Sequence, residues 1–182
     1  MINQRRAKVR RLIFLISVLT ALEAHAQTPP DPTATPPEPI PTSHLRFALQ
    51  LEPQFGVSGG KFFNQLIGAR LDYRFTPTLS LGPYLAYANL KGKDGRASQA
   101  LGAVQLEYRP SLGASSAISL PLRFTPGYLP ENGPVLRLSA GLAYAVSPHV
   151  DIVLDAFTPT FWVVKNRTLV SLGGALEVSY AP

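Results

Sequence analysis

The chain has 182 residues, 46 % hydrophobic and 15 % charged, with 18 prolines, 14 glycines and no cysteine. That length suits one ordinary domain, and the lack of cysteine excludes a disulfide framework, a thiolate metal site, a thiol nucleophile and a lipidated N-terminal cysteine. The formal charge of +6 is concentrated at the front: Arg5, Arg6, Lys8, Arg10 and Arg11 against Glu23 give the first 26 residues +4, while 12 basic and 10 acidic residues leave the remainder at +2. Nucleic-acid binding loses its main support there.

Residues 1–26 read as an export signal. The basic stretch Arg5 to Arg11 precedes an apolar run from Leu12 to Leu22, and Ala24-His25-Ala26 supplies the small residues a signal peptidase reads, so Gln27 is the expected mature start. The apolar run is 11 residues, short of the roughly 20 a membrane-spanning helix needs. Arg10-Arg11 also fits a twin-arginine signal; that route carries folded cargo and is set aside, because the rest of the chain reads as folding in lipid. Residues 27–42 form a linker rich in proline (Pro29, Pro30, Pro32, Pro36, Pro37, Pro39, Pro41) that leaves no room for helix or sheet. Such a stretch is a semi-rigid spacer of about 3.1 Å per residue.

From residue 43 to 182 alternation with period two dominates, and no window supports a long amphipathic helix. In the first strand Leu45, Phe47, Leu49, Leu51, Pro53, Phe55 and Val57 share one face and His44, Arg46, Ala48, Gln50, Glu52, Gln54 and Gly56 the other. The last strand repeats this, with Val170, Leu172, Leu176, Val178 and Tyr180 against Ser171, Gly173, Ala175, Glu177 and Ser179. Six further strands are expected near 62–75, 78–90, 97–109, 117–127, 135–146 and 150–163. Pro159 should break the ladder between Phe157 and Phe161 and produce a bulge. Tyr73, Tyr108, Tyr144 and Tyr180 each close an even-numbered strand at separations of 35, 36 and 36. The repeat unit is one up-and-down strand pair, and four units make eight antiparallel strands, the smallest number that closes as a spanning barrel.

Alternation alone fits both a soluble barrel with its apolar face inward and a membrane barrel with that face outward. Three features select the second. The four tyrosines, with Phe75, lie on the apolar face at one end, and Phe55, Phe63, Tyr87, Phe124 and Trp162 are expected on it at the other, as two interfacial girdles. Every lysine after the signal (Lys61, Lys91, Lys93, Lys165) falls in or beside a connection at one end, where a soluble barrel would scatter lysine over its whole exterior. The polar face mixes small residues with charges of both signs, as a crowded interior requires. A β structure that spans lipid must close, since an open edge strands backbone amides in hydrocarbon. Export signal and even strand count then place the barrel in the cell outer membrane of a diderm bacterium, with both termini periplasmic and short connections near 57–61, 91–96, 128–134 and 164–167 at the cell surface.

On this topology, the girdles and the terminal strand, residues 43–182 resemble the small eight-stranded outer-membrane barrels typified by outer-membrane protein X and the barrel domain of outer-membrane protein A. The resemblance implies an all-β, closed, up-and-down transmembrane barrel. It also implies that Gly173, Leu176, Val178 and Tyr180, within the run Ser171 to Tyr180, form a signal for the barrel-assembly machinery during biogenesis. The run departs from the family pattern by ending with Ala181-Pro182 after the aromatic residue.

The inward phase carries Arg46, Arg70, Arg74, Arg109, Arg123 and Arg137 against Glu52, Asp72, Glu107, Asp151, Asp155 and Glu177, six against six. Such a balance suits a lumen charge network that closes the barrel, since a buried charge is tolerated only when paired, and arginine favours bidentate pairing with carboxylates. The alternative is a narrow ion path or transport component. An enzyme is not expected: after the signal there are only His44 and His149, both at the periplasmic end, while the lumen serines Ser119, Ser139 and Ser171 have no histidine in reach. No metal or cofactor motif appears. Lys61, Lys91, Lys93, Arg96, Lys165 and Arg167 against Asp94 and Glu131 give the surface loops +4, a charge suited either to lipopolysaccharide phosphates or to a solvated rim. Outer-membrane lipid is therefore the expected surrounding, and the role is structural or surface-interacting.

Overall fold

A computed structural model describes residues 44–58, 62–92, 95–113, 117–164 and 167–182. The expected signal (1–26) and proline-rich linker (27–42) lie outside these residues, as do Lys61, Lys93 and Lys165.

The period-two pattern folds as β1 (Leu45–Ser58), β2 (Phe63–Arg74), β3 (Leu79–Gly92), β4 (Gly95–Tyr108), β5 (Ile118–Ser119), β6 (Leu122–Leu129), β7 (Gly133–Ala145), β8 (Val150–Val164) and β9 (Arg167–Tyr180). Neighbours pair antiparallel in the order β1-β2-β3-β4-β6-β7-β8-β9. The first and last strands then pair, Leu49 opposite Val178 and Phe47 opposite Tyr180, which closes the sheet into an eight-stranded barrel. Closure leaves no sheet edge to satisfy. The two-residue β5 adds onto β7, Ile118 opposite Tyr144. β1 begins and β9 ends at the same mouth, called lower here.

The expected strand at 117–127 is divided into β5 and β6 by Leu120-Pro121. Pro121 has no N–H for the ladder, although its carbonyl still accepts the Gly141 N–H at 3.2 Å, and the Leu120 N–H turns to the Pro110 carbonyl at 2.9 Å. The expected bulge in β8 is present, two residues ahead of Pro159. Asp155 pairs with Ala175 but Thr158 pairs with Gly173, so β8 carries one extra residue at Ala156-Phe157. An extra residue reverses the side-chain phase. Asp155 faces the lumen, Phe157 faces out, and Thr158, Thr160 and Trp162 face the lumen again.

This phase change corrects one expectation. Trp162 is not in the outer girdle but buried inside at 3 % exposure, and Phe161, paired with Leu136 and Val170, takes the outward position. Phe124 is also displaced from the upper girdle. It pairs with Leu106, two residues from Tyr108, because β6 starts only at Leu122. Tyr128, exposed near the upper end of β6, occupies that level instead. The remaining girdle residues are placed as expected. Tyr73, Phe75, Tyr108, Tyr144 and Tyr180 lie exposed around the lower end, and Phe55 and Tyr87 are exposed toward the upper. Phe55 packs against Phe63 with ring centroids 5.0 Å apart. Between the girdles the outer face is apolar, with Leu49 and Leu85 exposed at 69 % and 66 %. A continuous apolar belt on this scale is far beyond what a water-soluble monomer exposes.

Candidate functional site: the barrel lumen

Eight strands enclose a space that side chains can fill. Alternation sends every second residue into it, and the inward set divides by height into two layers of different chemistry. The lower layer is ionic and centres on Glu107 of β4. Its carboxylate lies 2.5 Å from Arg46 of β1, 2.8 Å from Arg70 of β2, 2.9 Å from Arg109 just past the end of β4 and 2.7 Å from Arg123 of β6. Arg70 and Arg123 both reach on to Glu177 of β9, at 2.6 Å and 2.9 Å, and Arg123 also bonds Asp155 of β8 at 2.6 Å. Arg46 donates to Asp72 at 3.0 Å and to Ser80 of β3 at 3.1 Å. Arg109 bonds Asp151 at 2.7 Å.

The network thus joins strands on all sides of the lumen, and Arg46, Arg70, Asp72, Glu107, Arg123, Asp155 and Glu177 are all buried. Guanidinium groups suit this arrangement, since each offers several donors in one plane and can serve two or three carboxylates at once. At the lower mouth a cavity of about 10 Å³ lies against Arg46, Arg74, Glu107 and Arg109, room for a single water. Arg74, half-buried at the end of β2, gives its backbone N–H to the His44 carbonyl at 2.7 Å.

Above this layer Arg137 of β7 pairs with Glu52 of β1, and its guanidinium carbon sits 4.8 Å from the centre of the Tyr84 ring. Gln54 donates to Glu52 at 2.5 Å and to Thr160 at 2.6 Å, while Ser171 donates to Gln54 at 2.8 Å and accepts from the Trp162 indole at 2.8 Å. The upper layer is apolar: Leu66, Tyr84, Leu101, Leu129, Val135 and Trp162 form one buried cluster. Tyr84 lies across β2 at Gly68, where a Cβ would fall 2.3 Å from its phenol oxygen. Charge counting missed this second layer. Its sequence signal is Leu66, Leu101, Leu129 and Val135, apolar residues that share the phase of the lumen charges Arg70, Glu107, Arg123 and Arg137 on their strands. Trp162 gave no such signal, because its phase depends on the bulge.

Of the expected network, Arg46, Arg70, Arg109, Arg123, Asp72, Glu107, Asp151, Asp155 and Glu177 meet in the lower layer, and Arg137 and Glu52 form a separate pair above. Ser171 belongs to the Trp162 chain of hydrogen bonds, whereas His44 and His149 sit at the lower end, bonded through Nδ1 to the carbonyls of Arg74 at 3.1 Å and Ala181 at 2.8 Å. Among the described residues no group of three or more His, Cys, Asp or Glu is placed to hold a metal. In β9, Gly173 faces inward and Leu176, Val178 and Tyr180 face out. Of the basic loop residues, Lys91 and Arg167 are exposed at the upper ends of β3 and β9. The side chain of Arg96 falls outside the described set.

No protein-family model matches the chain, and no curated protein matches it. Solved structures do. Neisserial surface protein A is 16 % identical over 77 % of this chain and 98 % of that one, with a TM-score of 0.54. The N-terminal β-barrel domain of Pseudomonas aeruginosa OprF is 11 % identical, with coverages of 74 % and 96 % and a TM-score of 0.49. A de novo designed transmembrane β-barrel is 14 % identical, with coverages of 75 % and 95 % and a TM-score of 0.49. The chain therefore has the fold of the small, closed, eight-stranded outer-membrane β-barrels.

Proposed function

We propose that the protein is an integral outer-membrane barrel with a sealed lumen, acting through its wall and surface rather than as a pore or an enzyme. The observation that carries this reading is the pair of stacked plugs. Glu107 with its arginines fills the lower lumen, and the apolar cluster around Trp162 and Tyr84 fills the upper. An ion crossing would have to separate buried ion pairs and then pass an apolar cluster whose neighbouring charges, Glu52 and Arg137, are already paired with each other, and both steps are costly. Insertion in lipid is supported by the apolar belt and its aromatic girdles. Catalysis is disfavoured because the two histidines sit at the lower end, away from the hydrogen-bonded Ser171.

In this reading the lower end, where both barrel termini emerge, faces the periplasm. The upper end then presents Lys91 and Arg167 to lipopolysaccharide phosphates, and the sequence adds Lys61, Lys93, Arg96 and Lys165 to the same basic set. Swelling of liposomes carrying the refolded protein tests the seal, with a heat-dependent gel shift confirming that the barrel is folded. No flux of ions or small sugars is expected, and clear flux from folded protein would replace the sealed barrel with a narrow pore. Neutralising the loop lysines should weaken association with phosphorylated lipid A and leave dephosphorylated lipid A unaffected.

A further inference from the structure

We infer that the upper mouth is a binding site for a small uncharged molecule with an apolar body and one hydrogen-bonding group. A cavity of about 290 Å³ opens there above the apolar plug, close to the lower bound of about 300 Å³ for small-molecule sites. It is far larger than the cavity of about 10 Å³ at the lower mouth. Leu90, Leu129, Trp162 and Leu169 contribute apolar lining, and Asn64, Gln99 and Asn132 contribute amides.

The chemistry of the lining selects the ligand. The buried Leu129 and Trp162 offer apolar surface but no counter-charge, so an ion seated there would lose hydration without compensation. The charged residues of the lining, Lys91 and Glu131, are exposed and opposite in sign. The amides are already oriented: Asn132 donates to Gln99 at 2.9 Å, Gln99 donates to Glu131 at 3.0 Å, and the Asn64 oxygen accepts the Lys91 backbone N–H at 3.0 Å. A primary amide carries two N–H groups and an oxygen with two lone pairs. Gln99 and Asn132 therefore each have a second N–H beyond these bonds, suited to a hydroxyl or carbonyl on the ligand. A lumen serving only as a seal needs neither a roomy apolar mouth nor amides held around it.

The chain supplies its own reporter, since Trp162 is its single tryptophan and lines this cavity. The test uses the full chain refolded into lipid nanodiscs, where both mouths meet the medium whichever faces the cell exterior, with 4-bromobenzyl alcohol as a contact quencher. Saturable quenching of Trp162 emission is expected, and none with the anion 4-bromobenzoate. Ala97→Phe, which places a ring in the mouth, should abolish the saturable phase. Gln99→Leu should weaken it by up to about tenfold, the loss of one hydrogen bond. A heat-dependent gel shift confirms that each variant is folded, and the Gln99→Leu result stands if Ala97→Phe does not fold. Quenching that rises linearly without saturating, or a saturable phase unchanged in both variants, would overturn the site. Vesicle swelling reads the seal separately, so failure of one reading is distinguishable from failure of the other.

Discussion

The ionic layer makes a quantitative demand on Glu107. This side chain is 1 % exposed and meets Arg46, Arg70, Arg109 and Arg123 at 2.5 to 2.9 Å. Glu107→Gln keeps the shape, removes the charge and turns N–H groups toward guanidinium N–H groups. The four arginines retain Asp72, Glu177, Asp151 and Asp155 as partners, so the network is weakened rather than dissolved. Removing one partner from a buried ion pair costs about 3–5 kcal/mol. With a guanidinium m-value of about 4 kcal/mol/M, that lowers the unfolding midpoint by about 1 M. Lys91→Ala, on an exposed side chain, should change stability by no more than about 0.5 kcal/mol. Guanidinium titration of both variants in lipid vesicles, followed by the gel shift of the folded barrel, measures the difference. Equal midpoints would refute the packed ionic interior.

The Glu52–Arg137 pair is more self-contained, and replacing both residues with methionine should leave stability within about 1–2 kcal/mol of the parent, whereas either single change costs about 3–5 kcal/mol in the same titration. Lipids brominated along their chains should quench a tryptophan placed at Tyr128 in a Trp162→Phe background and spare native Trp162; strong quenching of the native residue would return it to the lipid face. A Cβ on Gly173 would fall 2.3 Å from the Pro53 carbonyl oxygen, while one on Gly102 meets nothing within 4 Å. Gly173→Ala should therefore cost about 1–3 kcal/mol in protein refolded without assembly factors, against less than about 1 kcal/mol for Gly102→Ala. A Gly173→Ala barrel of parental stability in vitro would leave assembly as the sole reason for glycine there.

The fold was legible because period-two alternation and the tyrosine repeat are local signals that no tertiary contact overrides. Tyr73, Tyr108, Tyr144 and Tyr180 mark one lower end per strand pair, and the structure places all four outward. The inward arginines and carboxylates were legible for the same reason. What was hidden depends on two local irregularities. The bulge at Ala156-Phe157 reverses the phase of the rest of β8, and the break at Leu120-Pro121 shortens β6 and lowers Phe124. Pro159 marked the disturbance but not the residue at which the phase turns over. Unbroken alternation therefore assigns Trp162 to the girdle, whereas it belongs to the upper plug. That plug was the larger omission, since charge balance draws attention to arginines and carboxylates and away from Leu66, Leu101, Leu129 and Val135 on the same inward phase.

Conductance across a planar bilayer tests the sealed lumen most directly. Folded protein inserted at single-molecule density should give no steps above the bare membrane. A double variant that removes both plugs, Glu107→Ala with Trp162→Ala, should admit current if it inserts. Discrete, reproducible conductance from the unaltered protein would contradict the account and make the lumen a pathway.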